Sequence, residues 1–235
     1  MFKNLFKRID GVFSGHEQKL TAEEKFFFNV VGYSDIKKLL LKSVVSKEPV
    51  NILLTGPPSS SKTVFLLEML EGLDDTYFID AVGASGPGMT DHLFNNNTKY
   101  LLIDEIDKMK KNDQATLLNV METGILSETK LKGKTRQKKM KLWIFATSND
   151  VERLSEPLRS RFMEFHLEEY TYEEFTDIAI RRLAEEKINK HLAIIIAEKV
   201  WTELSSRDIR DVIKVGRLTN DSREVSFIIG MMKKG

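Results

Sequence analysis

The sequence predicts an α/β fold: an αβα sandwich around a five-stranded parallel sheet, followed by a small all-α domain. Three observations predict it. Short apolar runs of strand length alternate with helical periodicity from about residue 24 to 168. Those runs are continuous rather than alternating, as strands covered on both faces are. After Tyr170 the strand-like runs cease and only helical periodicity continues.

Taken in order, residues 1–23 form a lead-in. Phe2, Leu5, Phe6, Ile9 and Phe13 recur at helical spacing, with Lys3, Lys7 and Arg8 between them. This is either a short helix covering its own fold or a docking helix for another surface. Residues 24–168 carry the α/β pattern. A helix is expected over Ile36–Val45, strands over Val50–Thr55, Tyr77–Asp80, Tyr100–Asp104, Leu142–Thr147 and Glu164–Leu167, and a helix over Lys62–Glu71 with Val64, Leu66, Leu67 and Leu70 inward. Residues 169–235 form the helical domain, with helices over Tyr172–Lys187, Leu192–Leu204, Asp208–Leu218 and Glu224–Lys233.

Composition narrows the chemistry. Of the 235 residues, 41% are hydrophobic and 30% charged, enough for a real core and a soluble surface. The formal net charge of +1 gives no whole-protein signal for a polyanion. There is no cysteine, which removes disulfides, thiolate metal sites and thiol nucleophiles and fits a reducing compartment. No apolar run reaches the roughly 18–20 residues of a membrane span. The expectation is a soluble, cytoplasmic protein with no membrane partner.

Residues 56–63 read Gly-Pro-Pro-Ser-Ser-Ser-Lys-Thr between an apolar strand and a helix. A tight turn of small residues at a helix N-terminus points backbone N–H groups into a concavity that holds a polyphosphate. Lys62 supplies a mobile cation for the β- and γ-phosphates, and the Thr63 hydroxyl is placed to coordinate Mg²⁺. Ser61 stands where the phosphate-loop pattern has glycine. If the position needs a positive φ, serine costs on the order of 1 kcal/mol there; at negative φ it fits freely.

Tyr100–Asp107 reads YLLIDEID, an apolar strand with two adjacent carboxylates at its carboxyl end. Ligands in open α/β sheets bind at those ends. Asp104 is the expected outer partner of Mg²⁺ and its waters. Glu105 is the expected general base toward an attacking water. Asp107 reads as a helix N-terminal residue. The strand LWIFAT runs into Ser148-Asn149, whose amide can touch the γ-phosphate and help place the water. In Glu156–Phe162 (EPLRSRF), Arg159 and Arg161 are either solvated or reach a neighbouring subunit's nucleotide, where a planar guanidinium raises phosphoryl-transfer rates by about 10³–10⁵-fold.

Seven basic residues crowd positions 130–141: Lys130, Lys132, Lys134, Arg136, Lys138, Lys139 and Lys141. The flanks Ile125–Thr129 and Met140–Leu142 can pair as strands. The segment is either a solvated loop or a finger for phosphates or an acidic partner; without aromatics it would bind a nucleic-acid backbone, not bases. Residues 82–90 (VGASGPGMT) read as a small-residue loop.

Together these residues closely resemble an AAA+ ATPase, with the motifs in family order from about residue 24 to 218. GPPSSSKT resembles Walker A, LLIDEID Walker B, FATSND sensor 1, PLRSRF the arginine-finger box and SSRDIRDVI sensor 2. The resemblance is nearest to the RuvB-like clade of Holliday-junction motors, carried by LSEPLRSRFMEFHLEEYTYEEF and by the hairpin-like insertion Gly124–Met140. It implies ATP and Mg²⁺ as cofactors. Nucleotide contacts are implied at Val31, Gly32 and Tyr33 and at Gly56, Pro57, Pro58, Ser59, Ser60, Ser61, Lys62, Thr63 and Val64. Mg²⁺ is implied at Thr63 and Asp104, and catalytic roles at Glu105, Asn149 and a trans finger, Arg161 before Arg159. Sensor 2 is Arg207 or Arg210, with Arg207 preferred. The resemblance implies a homo-oligomeric ring with ATP in the crevice between core and lid. The sequence ends one helix past sensor 2, so the winged-helix domain of RuvB is not expected. Two functions follow: a motor or loader on DNA that uses the 130–141 hairpin and a protein partner for specificity, or a protein-remodelling or assembly switch without DNA.

Overall fold

The structure, a computed structural model, describes residues 21–83, 85–129 and 135–234. All of the lead-in except its last three residues lies outside them. The elements run α1 (Ala22–Phe26), α2 (Ser34–Val44), β1 (Ile52–Thr55), α3 (Lys62–Gly72), β2 (Thr76–Asp80), α4 (Gly86–Asn95), β3 (Tyr100–Asp104), α5 (Lys111–Thr123), β4 (Ile125–Thr129), β5 (Thr135–Lys139), β6 (Trp143–Ser148), α6 (Glu156–Arg159), β7 (Met163–His166), α7 (Tyr172–Glu185), α8 (Lys190–Glu203), α9 (Ile209–Arg217) and α10 (Ser222–Met232). Short 3-10 turns lie at Ile106–Lys108 and Val151–Arg153.

The chain divides into two compact units. The first holds the strands and α1–α6. Its sheet has the order β2-β3-β6-β1-β7, all parallel, as the continuous apolar runs predicted. The three central strands β3, β6 and β1 are buried almost throughout, whereas the edge strand β7 is largely exposed. Parallel strands need helical crossovers, and these bury both faces. Leu53, Leu101, Ile103, Ile144 and Ala146 form the centre of a core closed by Met89, Leu93, Leu117 and Leu158. Truncating one of these leucines, isoleucines or methionine to alanine costs about 2–5 kcal/mol.

Three local expectations are corrected. The inner face of α3 is Phe65, Leu66 and Met69, while Leu67 is exposed. In VFLLEML almost every position is apolar, so periodicity alone does not select a face. Residues 86–90 are not loop but the first turn of α4, capped by the Ser85 hydroxyl on Gly88 N–H, with Met89 in the core. The ribbon's second strand is Thr135–Lys139 rather than Met140–Leu142; Ile125 faces Lys139 and Thr129 faces Thr135. Gly124, at φ 64°, ends α5 in the left-handed region, and its carbonyl accepts Met140 N–H at 2.9 Å, closing the ribbon's base.

The second unit contains Glu168 onward together with Asn29–Gly32 and Pro57–Ser60. Each of its four helices starts on a side-chain cap: a Thr171–Glu174 capping box, then Asn189, Asp208 and Asp221. Phe175, Leu183, Ile196, Val200, Val212 and Ile229 are buried between them. A Cβ on Gly216 would stand 2.4 Å from Leu183 Cδ2, so glycine sets the close approach of α9. Among the described residues no helix is long and apolar enough to cross a membrane.

Candidate active site

The parallel register brings the carboxyl ends of the strands level. Thr55 pairs with Ser148 on one side and His166 on the other, and Asp80 pairs with Asp104. Because β6 lies between β1 and β3, the loop after β1, the acids after β3 and the amide after β6 share one edge.

The loop after β1 is held in unusual backbone conformations. Gly56 has φ 141°, and Ser59 and Ser61 have φ 70° and 61°. Position 61 therefore does demand the left-handed region, and serine carries a cost there on the order of 1 kcal/mol. Ser60 Oγ donates to Pro57 O at 2.8 Å, an internal tie of the turn. Ser61 O accepts Phe65 N–H at 3.0 Å, starting the helix immediately behind the loop. Lys62 is 6% exposed, and its Nζ donates to Gly56 O at 2.9 Å. Burial lowers its pKa from 10.5 to about 8, against the opposing pull of Asp104, Asp107 and Glu105.

Thr63 is the second residue of α3, and its hydroxyl lies 3.0 Å from each carboxylate oxygen of Asp104. Asp104 Oδ1 also accepts from Thr147 Oγ1 at 2.5 Å, and Thr147 Oγ1 in turn accepts Glu105 N–H at 2.9 Å. Thr147 thus locks Asp104 and holds Glu105 at φ 51°, the kink that turns both acids toward the same edge. Asn149 Nδ2 donates to Glu105 Oε1 at 3.2 Å. These side chains juxtapose a hydroxyl and carboxylate suited to a hard cation with a second carboxylate held for proton abstraction. Among the described residues no group of three His, Asp or Glu could hold a metal unaided. A magnesium ion at Thr63 and Asp104 would complete its shell from phosphate oxygens and water.

Sequence reasoning missed Thr147 as a functional residue and gave Asp107 only a helix start. The available signal was a threonine and a serine at the end of a fully buried strand, where polar groups need partners. Asp107 is 4% exposed and accepts from Ser148 Oγ and Asn149 N–H, each at 3.2 Å.

Elsewhere the predicted residues divide. Gly32 and Tyr33 have φ 73° and 54°, and a Cβ on Gly32 would stand 2.7 Å from Glu174 Oε1. Val31 is half-buried beside them, and Tyr33 packs edge-on to Phe65, ring centroids 6.0 Å apart. Val64 is half-buried and Pro58 exposed. Arg161 is exposed and pairs with Glu122 of α5 at 2.5 Å. Arg159 pairs with Glu164 at 2.9 Å and Glu152 at 3.4 Å, and the Glu164 contact pushes its guanidinium pKa further up. In the helical unit Arg207 stacks over Trp201, 3.4 Å from the ring centroid, and donates to Trp201 O. Arg210 is exposed and paired with Asp208.

The basic ribbon departs most from expectation. Arg136 pairs with Asp91 and Glu128 and lies 4.0 Å over the Phe94 ring. Lys138 Nζ donates to Leu93 O at 2.7 Å and Asn96 O at 2.5 Å, the carbonyl end of α4. Of the seven basic residues, Arg136 and Lys138 thus fasten the ribbon to its own fold and Lys141 pairs with Glu48 at 2.6 Å, while Lys139 is exposed. Strand alternation explains the split. Lys130, Lys132 and Lys134 lie outside the described residues.

The sequence model of the ATPase family associated with various cellular activities (AAA) matches residues 52–169, just over half of the chain. The chain belongs to the AAA ATPase family. The matched span starts at β1 and includes the loop, the acidic strand end, Asn149 and both arginines of this AAA protein. Among solved structures it is similar to Thermotoga maritima RuvB, described as a Holliday junction branch migration motor. That likeness has 19% identity and a TM-score of 0.63, covering 85% of this chain and 69% of RuvB. A proline-to-glycine RuvB mutant gives 19% identity and a TM-score of 0.69 over 88% of this chain and 72% of that one. At such identity the likeness is one of fold. In sequence the AAA protein is 26% identical over 146 residues to the DNA replication licensing factor mcm6 of Dictyostelium discoideum. It spans only 16% of that relative's length.

Proposed function

We propose that this AAA protein hydrolyses ATP with Mg²⁺ at the shared edge of β1, β3 and β6. The observation that carries the reading is the convergence of Thr63 with Asp104 and of Glu105 with Asn149, beside the buried Lys62. Magnesium, when bound, would neutralise charge on the β- and γ-phosphates. The backbone of residues 56–61 cradles phosphate oxygens, and Lys62 leaves Gly56 O to meet them. Glu105 takes the proton of the attacking water, and Asn149 orients both. Arg161 of a neighbour in a homo-oligomeric ring reaches the developing charge, with Arg159 as second choice. Arg207, with Arg210 as alternative, senses nucleotide from the helical unit, and Val31–Tyr33 contact the base.

The process served is, in this reading, movement or loading on DNA. Its support is the similarity in fold to a branch migration motor and the local sequence similarity to a replication licensing factor. The engagement of Arg136 and Lys138 within the fold favours a second reading, an ATP-driven protein-remodelling or assembly switch. The deciding measurement is Mg²⁺-dependent phosphate release, alone and with duplex, branched or single-stranded DNA at low salt. Release that vanishes in Lys62→Ala supports ATP hydrolysis, and stimulation by a DNA form supports the motor. ATPase rate and retention indifferent to every DNA form would sink the DNA reading. A protein captured by Glu105→Gln with ATP, free of nucleic acid, would carry the second.

A further inference from the structure

Asp107 is a buried carboxylate that the hydrolytic reading leaves without a task. It follows Glu105 by two residues on the Ile106–Lys108 turn, and its side chain has no solvent-exposed surface. Burying a carboxylate is costly unless the fold uses its hydrogen-bonding capacity. Oδ1 accepts from Ser148 Oγ and from Asn149 N–H, both at 3.2 Å. Oδ2 has no well-directed hydrogen bond, and Lys108 Nζ lies 3.1 Å away. Both Oδ1 donors come from the end of β6, so Asp107 ties the turn after β3 to the strand that carries Asn149. Ser148 Oγ in turn accepts Asp150 N–H at 3.1 Å, which fixes the chain on the far side of Asn149.

We propose that Asp107 is a positioning residue for ATP hydrolysis, holding the Asn149 backbone so that its amide meets Glu105. This rests on the reading of Glu105 and Asn149 as the hydrolytic pair. The chain of contacts is short. Asp107 grips Asn149 by its main chain, and Asn149 grips Glu105 by its side chain at 3.2 Å. The backbone around Glu105 is already forced to φ 51° and anchored from Thr147. With both neighbours of the water fixed to β6, their spacing follows from the Asp107 anchor. In this role Asp107 works through its acceptor oxygen Oδ1, while its charge faces Lys62 and Lys108. An asparagine at 107 presents the same acceptor oxygen, whereas alanine presents none.

The test is steady-state ATPase kinetics with Mg²⁺-ATP on the full chain, with ATP affinity measured separately and folding checked by thermal melting. Asp107→Ala is expected to lower kcat about 10²-fold, the size of effect an ångström of misplacement produces, while ATP affinity stays near wild type. Asp107→Asn is expected to keep most of the turnover. In an Asn149→Ala background, Asp107→Ala is expected to add little further loss, because it acts through that residue. Should Asp107→Ala fail to fold, Asp107→Ser takes its place with the same expectations, its shorter hydroxyl stopping short of Asn149 N–H. Wild-type turnover in Asp107→Ala, equal loss in Asp107→Asn, or losses that multiply with Asn149→Ala would each overturn the proposal. Wild-type turnover in Glu105→Gln or Asn149→Ala would instead sink the underlying reading and take this one with it.

Discussion

Thr63 and Asp104 stand 41 residues apart in the chain, yet the hydroxyl of one lies 3.0 Å from both carboxylate oxygens of the other. In the proposed reading a magnesium-bound triphosphate would sit where they meet, and binding is then separable from chemistry. Lys62→Ala removes the buried cation on the binding side and should weaken ATP affinity about 10- to 100-fold, the worth of a lost charged hydrogen bond. Glu105→Gln leaves that side intact and should keep affinity while lowering turnover about 10²–10⁴-fold. Titration with a fluorescent ATP analogue beside phosphate release distinguishes them, and equal affinity loss in both variants would contradict the division.

Ser61 at φ 61° sits where glycine would be unstrained. Ser61→Gly relieves about 1–2 kcal/mol of left-handed strain and gives back about 0.4–1 kcal/mol through the freer unfolded chain. The expected net is a gain of up to about 1.6 kcal/mol, read as a higher urea midpoint at unchanged m-value. A lower midpoint would mean that the Ser61 side chain makes a contact worth more than its strain.

The sheet was legible from sequence because β1, β3 and β6 are buried on both faces and so read as unbroken apolar runs. Asp104 and Asn149 were legible as candidates for a related reason, since each sits where such a run ends, and Lys62 and Thr63 from the small-residue loop that follows one. The inward face of α3 was not, since its sequence offers no polar side to contrast. Nor was the partner of Asp107, because a hydrogen bond between the turn after β3 and the end of β6 leaves no mark in either segment alone. The ribbon shows a third limit. Lysine and arginine count left 130–141 as either a solvated loop or a charged finger, but strand alternation turned Arg136 and Lys138 inward, to Asp91 and the end carbonyls of α4 and to Glu128 of β4.

Lys62 should make the nucleotide-free protein pH-sensitive. Its pKa falls from 10.5 in the unfolded chain to about 8 in the fold. Between those values the unfolded chain binds more protons, so this residue's contribution to stability rises with pH from about 8 toward 10.5 and is lost as pH falls through 8. ATP brings negative charge to the amine and favours its protonated form. Binding above pH 8 should therefore take up a proton, and affinity should fall as pH rises. Calorimetry in buffers of different ionisation heat at pH 8.5 measures that uptake. Lys62→Ala should abolish it, and uptake unchanged in that variant would assign the proton elsewhere.

Arg161 pairs with Glu122 of its own chain, so serving a neighbour requires it to exchange one carboxylate for a phosphate. Arg161→Ala should keep ATP binding and lose turnover about 10³-fold or more. Mixing it with Glu105→Gln should restore activity in mixed oligomers, because some interfaces then join an intact Glu105 to an intact Arg161. Activity that never exceeds the sum of the two variants would mean that the site is complete within one chain, and Arg159→Ala would then be compared in the same way.

The two faces of the ribbon should separate in experiment. Arg136→Ala removes the Asp91 and Glu128 pairs and the Phe94 contact together. Amide exchange in β4 and β5 should then quicken severalfold, since the ribbon's hold on α4 weakens while its own ladder persists. Lys139→Glu, on the outward side, should leave exchange unchanged. If the ribbon meets a nucleic-acid backbone, Lys139→Glu lowers DNA retention at low salt and flattens its salt dependence, because one fewer counterion is released. If it meets a protein, DNA retention is indifferent to Lys139 and only ATP-dependent capture changes. Faster exchange in Lys139→Glu, or none in Arg136→Ala, would reverse the assignment of the two faces.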